Sequence, residues 1–99
     1  MTEQLFVYGT LIDPVIQQQV FGRVTLGEPD ILAGYKKGNI CLGGAVYPII
    51  RPEVGTKVEG RLLNLSPAEL ALTDQYEGED YRRIKVSLVS GRQAWVYTT

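Results

Sequence analysis

Residues 65–88 read Leu65-Ser66-Pro67-Ala68-Glu69-Leu70-Ala71-Leu72-Thr73-Asp74-Gln75-Tyr76-Glu77-Gly78-Glu79-Asp80-Tyr81-Arg82-Arg83-Ile84-Lys85-Val86-Ser87-Leu88. The stretch opens on a capping box. Ser66 stands at the N-cap with Glu69 three residues on, and Pro67 takes the first helical position, where its missing N–H has no helical partner to lose. Leu65 and Leu70 occupy the two staple positions. Leu72 and Tyr76 fall four apart on one helix face, and Gly78 marks the exit. Beyond it Arg82, Ile84, Val86 and Leu88 alternate with Tyr81, Arg83, Lys85 and Ser87, the period of a half-buried strand.

Working outward, Ser90-Gly91 turns this strand into a hairpin whose second arm, Gln93 to Tyr97, places Trp95 and Tyr97 on one face and Ala94 and Val96 on the other. Toward the N-terminus, Leu5 to Tyr8 reads as a short buried strand cut off by Gly9. Asp13-Pro14 supplies an N-cap and a proline at the first helical position, predicting a helix of about two turns that runs to Val20 or Phe21 and ends at Gly22. From Val24 to Leu65 the pattern is of strands broken by Gly27-Glu28-Pro29-Asp30, Lys37-Gly38-Asn39, Gly43-Gly44 and Arg51-Pro52-Glu53-Val54-Gly55. The sum is about six strands and two short helices. The expected class is α+β, a small mixed β-barrel or strongly curled sheet.

Composition narrows the chemistry. Ninety-nine residues make a single domain over 1–99, of a size that buries roughly 65% of its unfolded surface. Histidine is absent and cysteine occurs once, which removes Ser-His-Asp and Cys-His nucleophile systems, His-bearing zinc sites and paired-cysteine redox chemistry. If the chain is an enzyme, a carboxylate is left to move its protons. Ten Lys plus Arg against eleven Asp plus Glu give a net charge of -1, without the one-signed excess that attracts nucleic acid or a membrane surface. No nucleic-acid or membrane partner is expected. The pairs Lys36-Lys37 and Arg82-Arg83 beside tyrosines suggest RNA stacking, but the balanced charge argues against it. The start lacks a basic n-region and a long apolar run, so the chain is read as cytoplasmic. Cys41, between Ile40 and Leu42, is expected to be a small buried hydrophobe.

Two places break local rules. Asp74, Glu77, Glu79 and Asp80 put four carboxylates at or just past a helix C-terminus, where negative charge opposes the macrodipole by roughly 0.3 to 1 kcal/mol per exposed residue. Such a break marks either a functional site or a solvated acidic turn answered by Arg82 and Arg83. Arg82 shares a strand face with Ile84, Val86 and Leu88, so it is expected to point inward near a barrel mouth. There it would hold a ligand's carboxylate or pair with Asp74 or Asp80. The second place is Tyr8-Gly9-Thr10-Leu11, where a buried strand runs through glycine into a helix N-terminus. Free backbone N–H groups at such a junction can cradle an anion, although a plain turn has the same sequence.

With both places in view, the sequence resembles the gamma-glutamylcyclotransferase-like family, in particular its short avirulence-induced-gene-like or gamma-glutamylamine cyclotransferase-like branch. Leu5-Phe6-Val7-Tyr8-Gly9-Thr10-Leu11 looks like the family's strand and YGTL loop. Leu32-Ala33-Gly34-Tyr35, Val46-Tyr47-Pro48 and Val58-Glu59-Gly60 resemble its middle segments. Asp74-Gln75-Tyr76-Glu77-Gly78 followed by Tyr81-Arg82 matches its D-x-[FY]-E-G and Y-x-R pattern. Thr73 departs from the leucine usual before that aspartate.

The resemblance implies a gamma-glutamylcyclotransferase-like fold and intramolecular aminolysis. The alpha-amine of a gamma-glutamyl compound attacks its own gamma-carbonyl, releasing an amine or amino acid and leaving 5-oxoproline, with no metal or cofactor. By position Glu77 matches the catalytic glutamate, first general base and then general acid. Since an ordinary glutamate near pKa 4.3 is a poor base, the role requires desolvation, or crowding by Glu79 and Asp80, to raise it toward roughly 6 to 7. The resemblance assigns substrate binding to Tyr8, Gly9, Thr10 and Leu11, with Arg82 either anchoring negative charge or orienting the acidic loop. Tyr81, on the opposite strand face, is not expected to touch substrate, and Tyr47-Pro48 is read either as pocket wall or as core. The partner is thus a small gamma-glutamyl compound. The alternatives are a non-catalytic module that binds a small carboxylate or a protein on the same fold, and a related acyl transfer that removes a gamma-glutamyl protecting group.

Overall fold

The computed structural model describes residues 2–99. Strand β1 (Glu3–Val7) leads through a 3-10 turn at Thr10–Ile12 into helix α1 (Pro14–Phe21). Two long strands follow, β2 (Glu28–Leu42) and β3 (Ala45–Leu65), then helix α2 (Pro67–Glu77), β4 (Arg82–Ser87) and β5 (Gln93–Thr98). The strands form one curled half-barrel sheet in the order β2-β3-β1-β5-β4. β1 lies antiparallel to β3 and parallel to β5, and β4 closes the far edge as a hairpin with β5. The α+β class and the two helices are as expected. Among the described residues no helix is long and apolar enough to cross a membrane.

Among the described residues the strands number five rather than about six, because two of the four break signals bend a strand without ending it. Gly38 and Asn39 stay in register opposite Ile49 and Pro48. At Arg51 to Gly55 the ladder slips: Ala33 faces Lys57 while Tyr35 faces Pro52, so extra residues of β3 bulge out. Gly34 at φ 82° and Gly55 at φ 86° supply the left-handed backbone that the bulge needs. The Thr56 hydroxyl ties it by donating to the Tyr35 and Glu53 carbonyls, both at 2.9 Å. A proline is tolerated here because the bulge and sheet edge demand fewer ladder bonds. The bulge turns the outer arm of the hairpin across the end of the sheet. Thr98 Oγ1 then donates to the Ile50 carbonyl at 3.1 Å, and the Tyr81 phenol to the Pro48 carbonyl at 2.6 Å.

The central strand explains the unbroken apolar run at Leu5 to Tyr8. Phe6 and Tyr8 pack inside the curl with Leu32, Ile50, Leu62 and Val96. Leu5 and Val7 face the helices, with Phe21, Leu63, Leu70 and Tyr97. Both faces of β1 are therefore buried, and no polar alternation survives. On β5 the two faces divide as expected, Ala94 and Val96 inside, Trp95 and Tyr97 toward the helices. Cys41 is a correction: it is exposed. It pairs with Val46 one step from the Gly43-Gly44 turn, at a hairpin tip that extends past the core.

Candidate active site

Tyr8 continues β1 into the interior and donates its phenol to the Tyr97 carbonyl at 2.7 Å. The chain then passes so close to the outer arm of β3 that a Cβ on Gly9 would lie 2.9 Å from Pro48 Cγ, which is why the position takes glycine. Asp13 caps α1 by accepting from the Val15 N–H at 2.9 Å. The preceding N–H groups of Gly9, Thr10 and Leu11 find no acceptor among the described residues. A buried glutamine keeps them in place: Gln17 donates to the Leu11 carbonyl at 2.8 Å and accepts from Thr25 N–H at 2.8 Å. Three free donors on one clamped turn form a ready cradle for negative charge.

The other wall is the end of α2. Both bonds of the capping box at Ser66 and Glu69 are made, so the helix start is fixed as expected. At the far end Asp74 accepts from the Tyr97 phenol and from Arg83 Nε, each at 2.7 Å. The Arg83 guanidinium lies 4.6 Å over the Trp95 ring. Glu77 is the last helical residue, and Gly78, at φ 76° and ψ -171°, turns the chain away in a conformation open only to glycine. The Glu77 carboxylate has no hydrogen bond or ion pair among the described residues, and burial pushes its pKa up to about 7. The helix C-terminus acts in the same direction. Across the gap, Tyr76 and Thr10 share a hydroxyl hydrogen bond at 2.9 Å.

Between these walls lies a cavity of about 470 Å³. Glu77 and Asp80 are its only acids, and no lysine or arginine lines it among the described residues. Burial, reinforced by neighbouring charge from Glu77, pushes the Tyr8 and Tyr81 phenols up, so both act as neutral O–H groups. Chemically the cavity offers one acid that exchanges its proton near neutrality and, in the wall made by Gly9 to Leu11, backbone N–H groups with no acceptor among the described residues, in place of a side-chain cation. Such a pairing suits proton transfer beside a developing oxyanion.

The family model described as gamma-glutamyl cyclotransferase, AIG2-like, matches residues 5–99. The chain belongs to this family. Similar relatives include protein AIG2 C of Arabidopsis thaliana, 34% identical over 89 residues that make up 89% of this chain and 53% of the relative. AIG2-like protein C of the same plant is 34% identical over 86 residues, 86% of this chain and 49% of the relative. The chain spans about half the length of the curated relatives it matches. A solution structure of an Arabidopsis thaliana protein superposes with a TM-score of 0.79 at 31% identity, over 99% of this chain and 61% of that one. A structure described as gamma-glutamyl cyclotransferase superposes at 0.82 with 16% identity, over 100% of this chain and 67% of that one, a likeness of fold.

For a cyclotransferase-family domain, the cavity gathers most of the residues singled out from sequence. Tyr8, Gly9, Thr10, Leu11 and Glu77 all line it. Arg82 does not: it is exposed and outside the cavity, and the arginine that meets the acidic block is Arg83. The strand face shared with Ile84 and Val86 is correct, but Arg82 opens the strand opposite Thr98, beyond the interior those residues fill. Tyr81, which strand parity places away from substrate, instead lines the cavity. It precedes β4 and hangs from the turn closed by its own N–H on the Gly78 carbonyl, so the parity of the strand does not govern it. Tyr47 and Pro48 also line the cavity, brought there by the bulge. The raised pKa of Glu77 comes from burial rather than from crowding by Glu79 and Asp80.

Proposed function

We propose that the domain catalyses cofactor-independent cyclisation of a gamma-glutamyl compound to 5-oxoproline and a free amine, with Glu77 as the proton carrier. The observation that carries this reading is an unpaired carboxylate with a pKa of about 7, set in a cavity opposite the free N–H groups of Gly9 to Leu11. Membership of the cyclotransferase family supports the reaction class.

The steps balance without a second reagent. Glu77 takes a proton from the substrate's alpha-ammonium group, and the freed nitrogen attacks the gamma-carbonyl carbon to close a five-membered ring. The oxyanion that forms is stabilised by the N–H cradle. As the bond to the leaving nitrogen breaks, Glu77 returns its proton to that nitrogen. A second proton follows the same route from ring nitrogen to amine, so the amine leaves as ammonium and Glu77 is regenerated. Because nucleophile and electrophile belong to one molecule, the cavity's main task is to hold the chain bent for ring closure. With no lysine or arginine in the wall among the described residues, the substrate's alpha-carboxylate would also rest on backbone N–H groups.

Incubating the pure protein with a panel of gamma-glutamyl amino acids and gamma-glutamyl amines should release 5-oxoproline from at least one. Thermal stabilisation by such compounds with no release from any would instead favour a non-catalytic carboxylate-binding module.

A further inference from the structure

The cyclisation reading uses Glu77 and leaves Asp74 unexplained, yet Asp74 is the most heavily engaged acid of the block. Its Oδ1 accepts from the Tyr97 phenol and from Arg83 Nε, and its backbone carbonyl accepts the Gly78 N–H at 3.1 Å. It does not line the cavity. A carboxylate already committed to a phenol and a guanidinium is a poor proton carrier, so its place is behind the site. Tyr97, which takes one of these bonds, also receives the Tyr8 phenol on its backbone carbonyl at 2.7 Å. One residue of β5 is thereby tied on one side to the helix turn that bears Glu77 and on the other to the strand end that begins the N–H loop.

The geometry points to Asp74 as the positioning residue of the site: through the Tyr97 phenol it fixes the Glu77-bearing end of α2 relative to the Tyr8 to Leu11 loop. This rests on the proposed cyclisation for its effect on rate, though not for its effect on Glu77. If the tie is cut, the last turn of α2 keeps, among the described residues, the Arg83 pair, the exposed Tyr76 to Thr10 bond and the Tyr81 N–H on the Gly78 carbonyl. Glu77 then drifts from the loop and meets more water. Displacement of a catalytic group by about 1 Å costs rate on the order of 100-fold while leaving binding groups in place.

The groups that face Glu77 are Tyr8 at the end of β1, Tyr47 from β3, Tyr76 on α2, Tyr81 and Asp80 before β4, and Tyr97 on β5, with Arg83 beside Asp74 behind it. Asp74→Asn alters none of the cavity groups, and Tyr97→Phe keeps the Tyr97 ring in the wall and removes only the hydroxyl that bonds Asp74. Tyr97→Phe removes the phenol and leaves the Asp74–Arg83 pair intact; Asp74→Asn weakens both bonds. Two measurements apply to each: kcat and KM for 5-oxoproline release, and the titration of the Glu77 carboxyl carbon by NMR of glutamate-labelled protein. Both variants should lower kcat about 10- to 100-fold with KM within about 2-fold. The Glu77 midpoint should fall by about half a unit or more as water enters. Unchanged kcat and an unchanged midpoint in Tyr97→Phe would overturn the inference, as would a rise in KM alone. Should Asp74→Asn fail to fold, Tyr97→Phe decides. Should the wild type release no 5-oxoproline at all, the cyclisation reading fails, while the titration still accepts or rejects the tie.

Discussion

The two ends of helix α2 each carry a glutamate, and the two could hardly be treated more differently. At the N-terminus Glu69 closes the capping box on Ser66, and the Arg23 side chain hydrogen-bonds its carboxylate and, together with the Ser66 N–H, holds its pKa down at about 2. At the C-terminus Glu77 has no cation and no donor among the described residues, and burial lifts it to about 7. Eight positions along one short helix thus take the chain from an acid that stays ionised throughout the physiological range to one that exchanges its proton within it. Residue type does not set the role; the partners do. Glu69 sits where the helix dipole and a cap welcome charge, and Glu77 sits where the dipole opposes it and its carboxylate makes no capping bond among the described residues.

The largest expected effect lies at Glu77. Glu77→Gln keeps the shape and removes the proton carrier, and 5-oxoproline release should drop on the order of 100- to 10,000-fold. The same substitution has a stability signature of definite sign. Folding raises the Glu77 pKa from 4.5 to about 7, so the neutral form stabilises the fold. That stabilisation is complete below the lower value and is lost as pH rises through the upper one. In chemical denaturation the variant should match the wild type at pH 4 and exceed it at pH 8 by about 1 to 2 kcal/mol, allowing for solvent on the open side of the carboxylate.

The next effect falls on the opposite wall. Gly9→Ala would press a methyl group onto Pro48, and the cradle should shift enough to lower kcat/KM on the order of 10- to 100-fold. At the other end of the helix, Ser66→Ala should cost about 1 kcal/mol of stability with kcat unchanged, since the capping box lies far from the cavity lining. Glu69 has the opposite pH sign from Glu77. Its depressed pKa contributes stability above its ordinary value of 4.5, lost as pH falls through about 2. Smallest of all is Arg82→Ala, which should leave kcat/KM within about 2-fold because the side chain is exposed and outside the cavity. A large loss there would restore Arg82 to the site and require another conformation of the turn before β4.

Much of this was legible in the residues, and the reasons for the rest are physical. The capping box, the two helix starts at prolines, the buried β1 and the two-faced β5 are local patterns, and local patterns survive folding. Glu77 stood out because it broke a local rule with no local compensation, and its compensation is tertiary. What sequence could not locate was set by long-range geometry. Arg51 to Gly55 looks like a turn between strands, yet it is a bulge inside one strand, and that bulge carries Tyr47 and Pro48 to the cavity. Tyr81 lies one residue before the start of β4, so strand parity does not govern it, and Arg82, though on the expected face, opens the strand beyond the interior. Asp74 and Glu77 share a segment and a charge, and only the positions of Tyr97 and Arg83 distinguish the anchor from the proton carrier.

The central claim, that one helix holds a locked acid at its start and a proton-exchanging acid at its end, is tested most directly by following both carboxyl carbons by NMR across pH 1.5 to 9. The Glu69 midpoint should fall at about 2 and the Glu77 midpoint at about 7. Two midpoints together near the ordinary value of 4.5 would contradict it.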